Sequence, residues 1–255
     1  MLLALDVGNT NIVLGVFEGE RLAASLRLHT EPRWTGDELG LLVVNLLREE
    51  GIEPAMITAV VVSNVVPSLS GTIDALCRRH FGGPPLSLGP GVRTGIRIHY
   101  DDPRQVGADR IANAIAAHHL FGGPAILGDF GTATTVDAID AGGDYLGGAM
   151  APGVLISLEA LVTHAARLSR VDLIDPGSVI GRNTAASMQA GLVYGYAGLV
   201  EGLVGRMRAE VGAEAKLILT GGLAPLMANL ISGVHAVDEQ LTLTGLRLIH
   251  ELNSG

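Results

Sequence analysis

One short pattern occurs twice in this chain, and it restricts the possible folds more than any other feature. Asp6, Gly8 and Val13 are matched by Asp129, Gly131 and Val136, each pair 123 residues apart. An apolar stretch leads into Asp-x-Gly in both places: Leu2, Leu3 and Leu5 before Asp6, and Ala125 to Leu127 before Asp129. A second stretch follows each copy, Ile12 to Phe17 and Thr135 to Ile139, and each then meets an acidic turn containing glycine, Glu18-Gly19-Glu20 and Asp140 to Asp144. Asp-x-Gly alone is weak evidence in a glycine-rich chain. Matched flanks and matched downstream turns predict a duplicated strand-turn-strand unit, and therefore two similar lobes facing each other. The lobes are expected over residues 1–121 and 122–255.

The remaining elements alternate between the two periodicities. Leu39, Leu42, Val43, Leu46 and Leu47 fall at helical spacing, which predicts a helix from about Thr35 to Glu50. Ala59 to Ser63 is a short apolar run, as expected of a buried parallel strand. Helices are predicted over 66–80, after Asp102-Pro103, over 184–211 and over 241–252, with a strand at Leu217 to Leu219 and a Gly/Pro-rich connector from Gly82 to Gly95. The long helix carries Gly191, Gly195, Gly198, Gly202 and Gly205. Such notches predict that it presses close against another helix or a sheet.

Composition excludes several classes of function. With 17 basic and 26 acidic side chains the formal charge is −9, which opposes a broad nucleic-acid face. It does not oppose holding one phosphorylated small molecule, because backbone amides can cradle phosphate without net positive charge. Cys77 is the only cysteine, so neither an intramolecular disulfide nor a multi-cysteine metal site is available, and a reducing compartment is expected. Asp6 interrupts any signal-peptide core, and the 183–200 stretch is too polar for a membrane span. A cytoplasmic protein with no membrane partner and no nucleic-acid partner is expected.

The glycine-containing turns suggest phosphate chemistry. No GxxxxGK[ST] loop is present. The turn Asp6-Val7-Gly8-Asn9-Thr10-Asn11 instead offers a run of amides with short polar side chains, and Gly131-Thr132-Ala133-Thr134-Thr135 offers another. Thr220-Gly221-Gly222 after an apolar strand adds a bare backbone surface against which a flat ring can lie. In this order the three resemble the phosphate-1, phosphate-2 and adenosine elements of the actin, hsp70 and sugar-kinase superfamily. That likeness implies an α/β fold of duplicated actin-like (ribonuclease H-like) ATPase lobes, with mixed sheets flanked by helices.

The likeness sharpens at His99-Tyr-Asp-Asp-Pro-Arg-Gln-Val-Gly-Ala-Asp-Arg110, which is similar to the pantothenate-binding segment of type III pantothenate kinases. Further segments of that family are resembled at 6–11, 63–69, 128–135, 147–153, 181–191, 220–226 and 238–253, so the similarity runs through the whole chain. It implies an enzyme that phosphorylates pantothenate with ATP, as a homodimer. Asp6, Val7, Gly8, Asn9, Thr10, Asn11, Ile12 and Val13 would bind ATP phosphates, with Thr132 contacting them from the other lobe. Tyr100, Gly107, Ala108, Asp109, Arg110 and Thr184 would hold pantothenate, with Asp109 as the general base. Asp129 would ligate a monovalent cation, K⁺ or NH₄⁺, and Mg²⁺ would accompany ATP near Asp6. Thr184 could also cap the long helix. The alternatives are a nucleotide-binding regulatory homologue without kinase activity, and an actin-like kinase for another small hydroxyl substrate. Gly128 departs from the family, where an apolar residue is commoner, and could loosen the strand before Asp129.

Overall fold

The computed structural model describes residues 1–165 and 167–254. In chain order the elements are β1 (Leu2–Val7), β2 (Asn11–Glu18), β3 (Arg21–His29), α1 (Gly36–Glu49), β4 (Ala59–Asn64), α2 (Ser70–His80), β5 (Leu86–Ser87) and α3 (Ala108–Phe121). They continue as β6 (Ala125–Phe130), β7 (Ala133–Ile139), β8 (Tyr145–Pro152), α4 (Val154–His164), α5 (Thr184–Val211), β9 (Lys216–Thr220), α6 (Ala224–Ala228), β10 (Val234–Val237) and α7 (Leu241–Asn253).

The duplication is real, and its signature is topological. One five-stranded sheet has the order β3-β2-β1-β4-β5 and the other the order β8-β7-β6-β9-β10, so each is an antiparallel meander extended by two parallel strands. The two leading hairpins differ by one residue, however. Val13 stands opposite Asp6, whereas Val136 stands opposite Gly128 and Asp129 faces Thr135. The second turn is therefore shorter, and the match of Val13 with Val136 holds in sequence only.

The chain forms two compact units that interleave along its length. The first comprises Met1–Gly95, Asp101–Ala116 and the C-terminal segment from Leu241; the second comprises Ile96–Tyr100 and Ala117–Gln240. A single division near residue 121 does not describe them. Helix α7 joins the first unit because glycines admit it. A Cβ at Gly245 would lie 2.0 Å from the Ala112 carbonyl oxygen, and one at Gly15 would lie 2.8 Å from Leu243. Thr242 Oγ1 also donates to Asn113 Oδ1 at 2.7 Å.

In the first unit, α1 begins with a reciprocal cap. Thr35 Oγ1 accepts from the Glu38 N–H, and Glu38 Oε2 accepts from the Thr35 N–H at 3.0 Å, which holds the Glu38 carboxyl below its usual range. Leu39, Val43 and Leu47 then face inward against Leu3, Leu5, Val7, Leu14 and Val62, forming an apolar core. Each such side chain contributes about 1.5–3 kcal/mol on full burial. Helix α2 starts at Ser70 rather than Val66, because Pro67 opens a short 3₁₀ turn first. In the second unit, β6, β7 and β9 pack against α4 and α5 through Ile126, Phe130, Val136, Leu158, Val200, Leu217 and Leu219. Gly128 does not loosen this strand: a Cβ there would meet Leu219 at 2.8 Å, so the missing side chain lets the leucine fill the space.

Cys77 is fully buried beside Asp74, and desolvation, aided by that carboxylate, pushes its thiol up to about 12. Such a thiol is ionised in roughly one part in 10⁴ at pH 8. Iodoacetamide is therefore expected to leave the native protein unlabelled at pH 8 and to label it stoichiometrically in denaturant, as mass spectrometry would record. Rapid native labelling would contradict this burial.

Candidate functional site

In the first unit the polar turn sits at the end of β1. Gly8 N–H donates to the Asn11 carbonyl at 3.0 Å, closing a tight hairpin with Asn9 and Thr10 exposed at its tip. Asp6 is half-buried just below, while Val7 and Ile12 point into the core and are only 0% and 2% exposed. Of the predicted 6–13 stretch, those two can therefore serve a ligand through backbone groups alone. A residue the sequence did not flag holds the turn in shape. Thr30, buried at the end of β3, donates its hydroxyl to the Gly8 carbonyl at 2.7 Å and its N–H to the Thr10 carbonyl at 2.9 Å. Ser63 on β4 stands beside Asp6 in register, and its fully buried hydroxyl has no partner among the described residues.

The second unit repeats this arrangement with different chemistry. Asp129 on β6 lies between Thr135 on β7 and Thr220 on β9, and cross-strand neighbours in register share a face. The Thr135 hydroxyl is buried and has no partner among the described residues. Gly221, at φ +88°, brings bare backbone against this carboxylate: a Cβ there would lie 2.5 Å from Asp129 Oδ1 and 2.7 Å from the Phe130 nitrogen. The exposed turn at Gly131-Thr132 is braced from beneath by Gly153, whose N–H donates to the Thr132 carbonyl at 3.0 Å. The phosphate-2 and adenosine signals thus meet around Asp129 at the ends of β6 and β9. Oxygen donors from one carboxylate and two threonines suit a hard cation of low charge. Among the described residues no group of three or more His, Cys, Asp or Glu could hold a metal ion.

The acceptor segment divides between the units. Gly107 to Arg110 belong to the first, Tyr100 to the second, and Thr184 begins α5 in the second. Gly107 offers its carbonyl to the Ile111 N–H, so Ala108 and Asp109 lie in the first turn of α3. Asp109 Oδ1 folds back to accept from the Arg110 N–H at 2.9 Å. A Cβ at Gly107 would stand 2.4 Å from that oxygen. Because that oxygen ends a side chain, a Cβ here would shift the carboxylate rather than strike the backbone. Arg110 is 7% exposed and so is no surface charge. Asp102, earlier in the segment, is occupied by Arg104, whose Nε donates to it at 2.8 Å. Asn183, not Thr184, caps α5, accepting from the Ala186 N–H at 2.8 Å.

The long helix differs from expectation. Cβ atoms built at Gly191, Gly195, Gly198 and Gly205 would meet nothing within 4 Å among the described residues, so these notches are not filled by another element there. Gly198 and Gly202 line a shallow apolar groove with Leu199, Leu203, Met150 and Arg206.

Duplicated sheets with polar turns at matched strand ends define an actin-like ATPase and sugar-kinase fold. The chain is similar to a ROK hexokinase from Thermus thermophilus (17% identity, TM-score 0.54, covering 100% and 99% of the two chains). It is also similar to a structure described as a Baf family transcriptional activator from Campylobacter jejuni (20% identity, TM-score 0.64, covering 99% and 98%). The family model for type III pantothenate kinase matches residues 2–206. The type III pantothenate kinase of Myxococcus xanthus is 53% identical over 253 residues, covering 99% of each chain, and that of Moorella thermoacetica is 49% identical over 254 residues, covering 100% of each. The chain belongs to the type III pantothenate kinase family.

Proposed function

We propose that this protein transfers the γ-phosphate of ATP to the primary hydroxyl of pantothenate, giving 4′-phosphopantothenate and ADP, the first step of coenzyme A synthesis. The observation that carries this is near-50% identity, end to end, with proteins named for that activity. Asp109 accepts the hydroxyl proton while the oxygen attacks the γ-phosphorus and the bond to the β-phosphate oxygen breaks. A carboxylate is a weak base at neutral pH, so its main effect is to aim the hydroxyl. Arg110, together with Tyr100, Gly107, Ala108 and Thr184, holds pantothenate, the guanidinium facing carboxylate or developing negative charge.

The exposed hairpin tip at Asn9 and Thr10 holds ATP phosphate, the Gly8 N–H being used to close the turn; Asp6 would lie beside the accompanying Mg²⁺, and Thr132 is a further phosphate contact. Asp129 would hold K⁺ or NH₄⁺, with the buried Thr135 hydroxyl as a second oxygen, and a cation there would offset phosphate charge. The open glycine face of α5 and its apolar groove support a homodimer built from a second copy. No helix among the described residues is long and apolar enough to cross a membrane, which suits a cytoplasmic enzyme.

Coupled ADP release tests the reading. Turnover is expected with pantothenate, and is expected to fall sharply when Na⁺ replaces K⁺. Turnover only with a different alcohol would reassign the substrate. Nucleotide binding without any turnover would favour a regulatory role, the reading suggested by the Baf-family likeness. Thr30→Val should raise KM for ATP by about 3- to 10-fold, the loss expected for one hydrogen bond that orders the turn, with KM for pantothenate unmoved. An unchanged KM for ATP would mean the turn does not need this clamp.

A further inference from the structure

A five-residue strap, Ile96–Tyr100, is fastened to the head of β8 in a way that no role given above requires. It lies alongside Tyr145 as a single parallel bridge at Ile98. The Tyr145 N–H donates to the Arg97 carbonyl at 2.9 Å, and the His99 N–H donates to the Tyr145 carbonyl at 2.8 Å. A two-bond attachment of this kind is weak by itself.

Asp144 strengthens it. Its Oδ1 accepts from the Arg97 N–H at 2.9 Å, and its Oδ2 lies 3.4 Å from His99 Nε2. The histidine is half-exposed, so that outer contact contributes little, and the backbone bond is the stronger of the two. The carboxylate is itself well placed. Asp140 Oδ1 accepts from the N–H groups of Gly142 and Asp144, both at 2.9 Å, which stiffens the turn that presents Asp144. The Arg97 N–H, with His99 beside it, holds the Asp144 carboxyl below its usual range, as expected if it is ionised in use.

The strap ends on Tyr100. Its ring rests against that of Tyr145, with centroids 6.4 Å apart and planes tilted by 48°, and it lies beside Gly147, where an added Cβ would come within 3.6 Å of it. The supporting ring cannot slide. Tyr145 is fully buried, and its hydroxyl donates to Asp137 Oδ1 at 2.8 Å, a carboxylate 3% exposed. Latch and floor therefore both determine where the Tyr100 side chain stands.

We infer that Asp144 is a positioning residue for the acceptor substrate: by latching the 96–100 strap to the head of β8, it sets the Tyr100 ring over Tyr145 in the orientation that receives pantothenate. The inference rests on the reading of Tyr100 as a pantothenate contact. Asp144 touches no reacting atom.

Steady-state kinetics of the full-length protein with ATP and pantothenate provide the test. Asp144→Ala is expected to raise KM for pantothenate about tenfold, with kcat and KM for ATP changed by less than about twofold. Asp144→Asn, which keeps the oxygen that accepts from Arg97, should restore KM for pantothenate to within about threefold of the parent. If the alanine variant does not fold, Asp144→Glu, which moves the acceptor by one methylene, should show the same selective rise. In a Tyr100→Ala background, Asp144→Ala should add less than about a further twofold, since the aspartate acts through that ring. An unmoved KM for pantothenate, equal losses in all three constants, or simple additivity in the double variant overturns the proposal. If Tyr100→Ala itself leaves KM for pantothenate unchanged, the pantothenate role of Tyr100 fails first, separately from the latch.

Discussion

Asp109→Asn should leave a folded protein that binds ATP with close to parental affinity and phosphorylates pantothenate about 10²- to 10⁴-fold more slowly. The substitution suits the position. Asp109 Oδ1 accepts from the Arg110 N–H at 2.9 Å, and an asparagine carbonyl can make the same bond, so the first turn of α3 keeps its local structure. What disappears is an acceptor for the hydroxyl proton and the charge that aims the hydroxyl. Single-turnover phosphorylation and equilibrium titration of ATP would separate the two quantities. A kcat within twofold of the parent would remove Asp109 from the mechanism. Gly107→Ala is the informative companion, because its Cβ would stand 2.4 Å from Asp109 Oδ1 and displace the carboxylate without removing it. A loss of kcat that approaches the asparagine variant would show that placement of this group matters as much as its charge.

Gly153→Ala should damage both stability and nucleotide binding. Gly153 has φ −68° and ψ 156°, which any residue adopts freely, so backbone strain is not the issue. The obstacle is space: a Cβ there would lie 2.2 Å from the Thr132 carbonyl oxygen and 2.6 Å from that of Gly131. Neither atom is the end of a flexible side chain, so the Gly131-Thr132 turn must shift or the N–H bond from Gly153 to Thr132 must break. Overpacking of this kind costs about 1–3 kcal/mol, and a chain of this size loses roughly 2–4 °C in Tm per kcal/mol. KM for ATP should rise at least about tenfold while KM for pantothenate stays near its parental value, since the displaced turn is the one assigned to phosphate. Melting curves and initial rates would report each part. A variant with parental Tm and parental KM for ATP would show that the turn is not braced from this side.

Some of these features are legible in the sequence and others are not, for identifiable reasons. The paired Asp-x-Gly units were visible because a hairpin that carries a polar turn needs a fixed local order of residues. The long helix, expected over about Thr184 to Val211, spans those residues. β5 and β10 were not seen: two and four residues long, they carry too short a pattern, and only a neighbouring parallel strand makes them strands. β8 was hidden because Gly147 and Gly148 interrupt its alternation, the second lying where any side chain would strike Asp137. Thr30 and Asp144 were also invisible, since each acts on a turn or strap far away in sequence and nothing near either residue announces it.

From residue order alone came the duplicated α/β plan, the polar turns at 6–11 and 131–135, and the family likeness from which the proposed substrate residues follow; all are carried by short contiguous segments. Folding in three dimensions decided that α7 belongs with the first unit, that Asn183 rather than Thr184 caps α5, that four glycine notches of that helix are not filled by another element among the described residues, and that the hairpins differ by one residue. The reason is the range of the forces involved. Turn geometry, helix periodicity and strand patterning act over a few bonds and leave their mark in neighbouring residues. Close packing and cross-strand register depend instead on which distant groups share a volume, and that is settled only when the whole chain has folded.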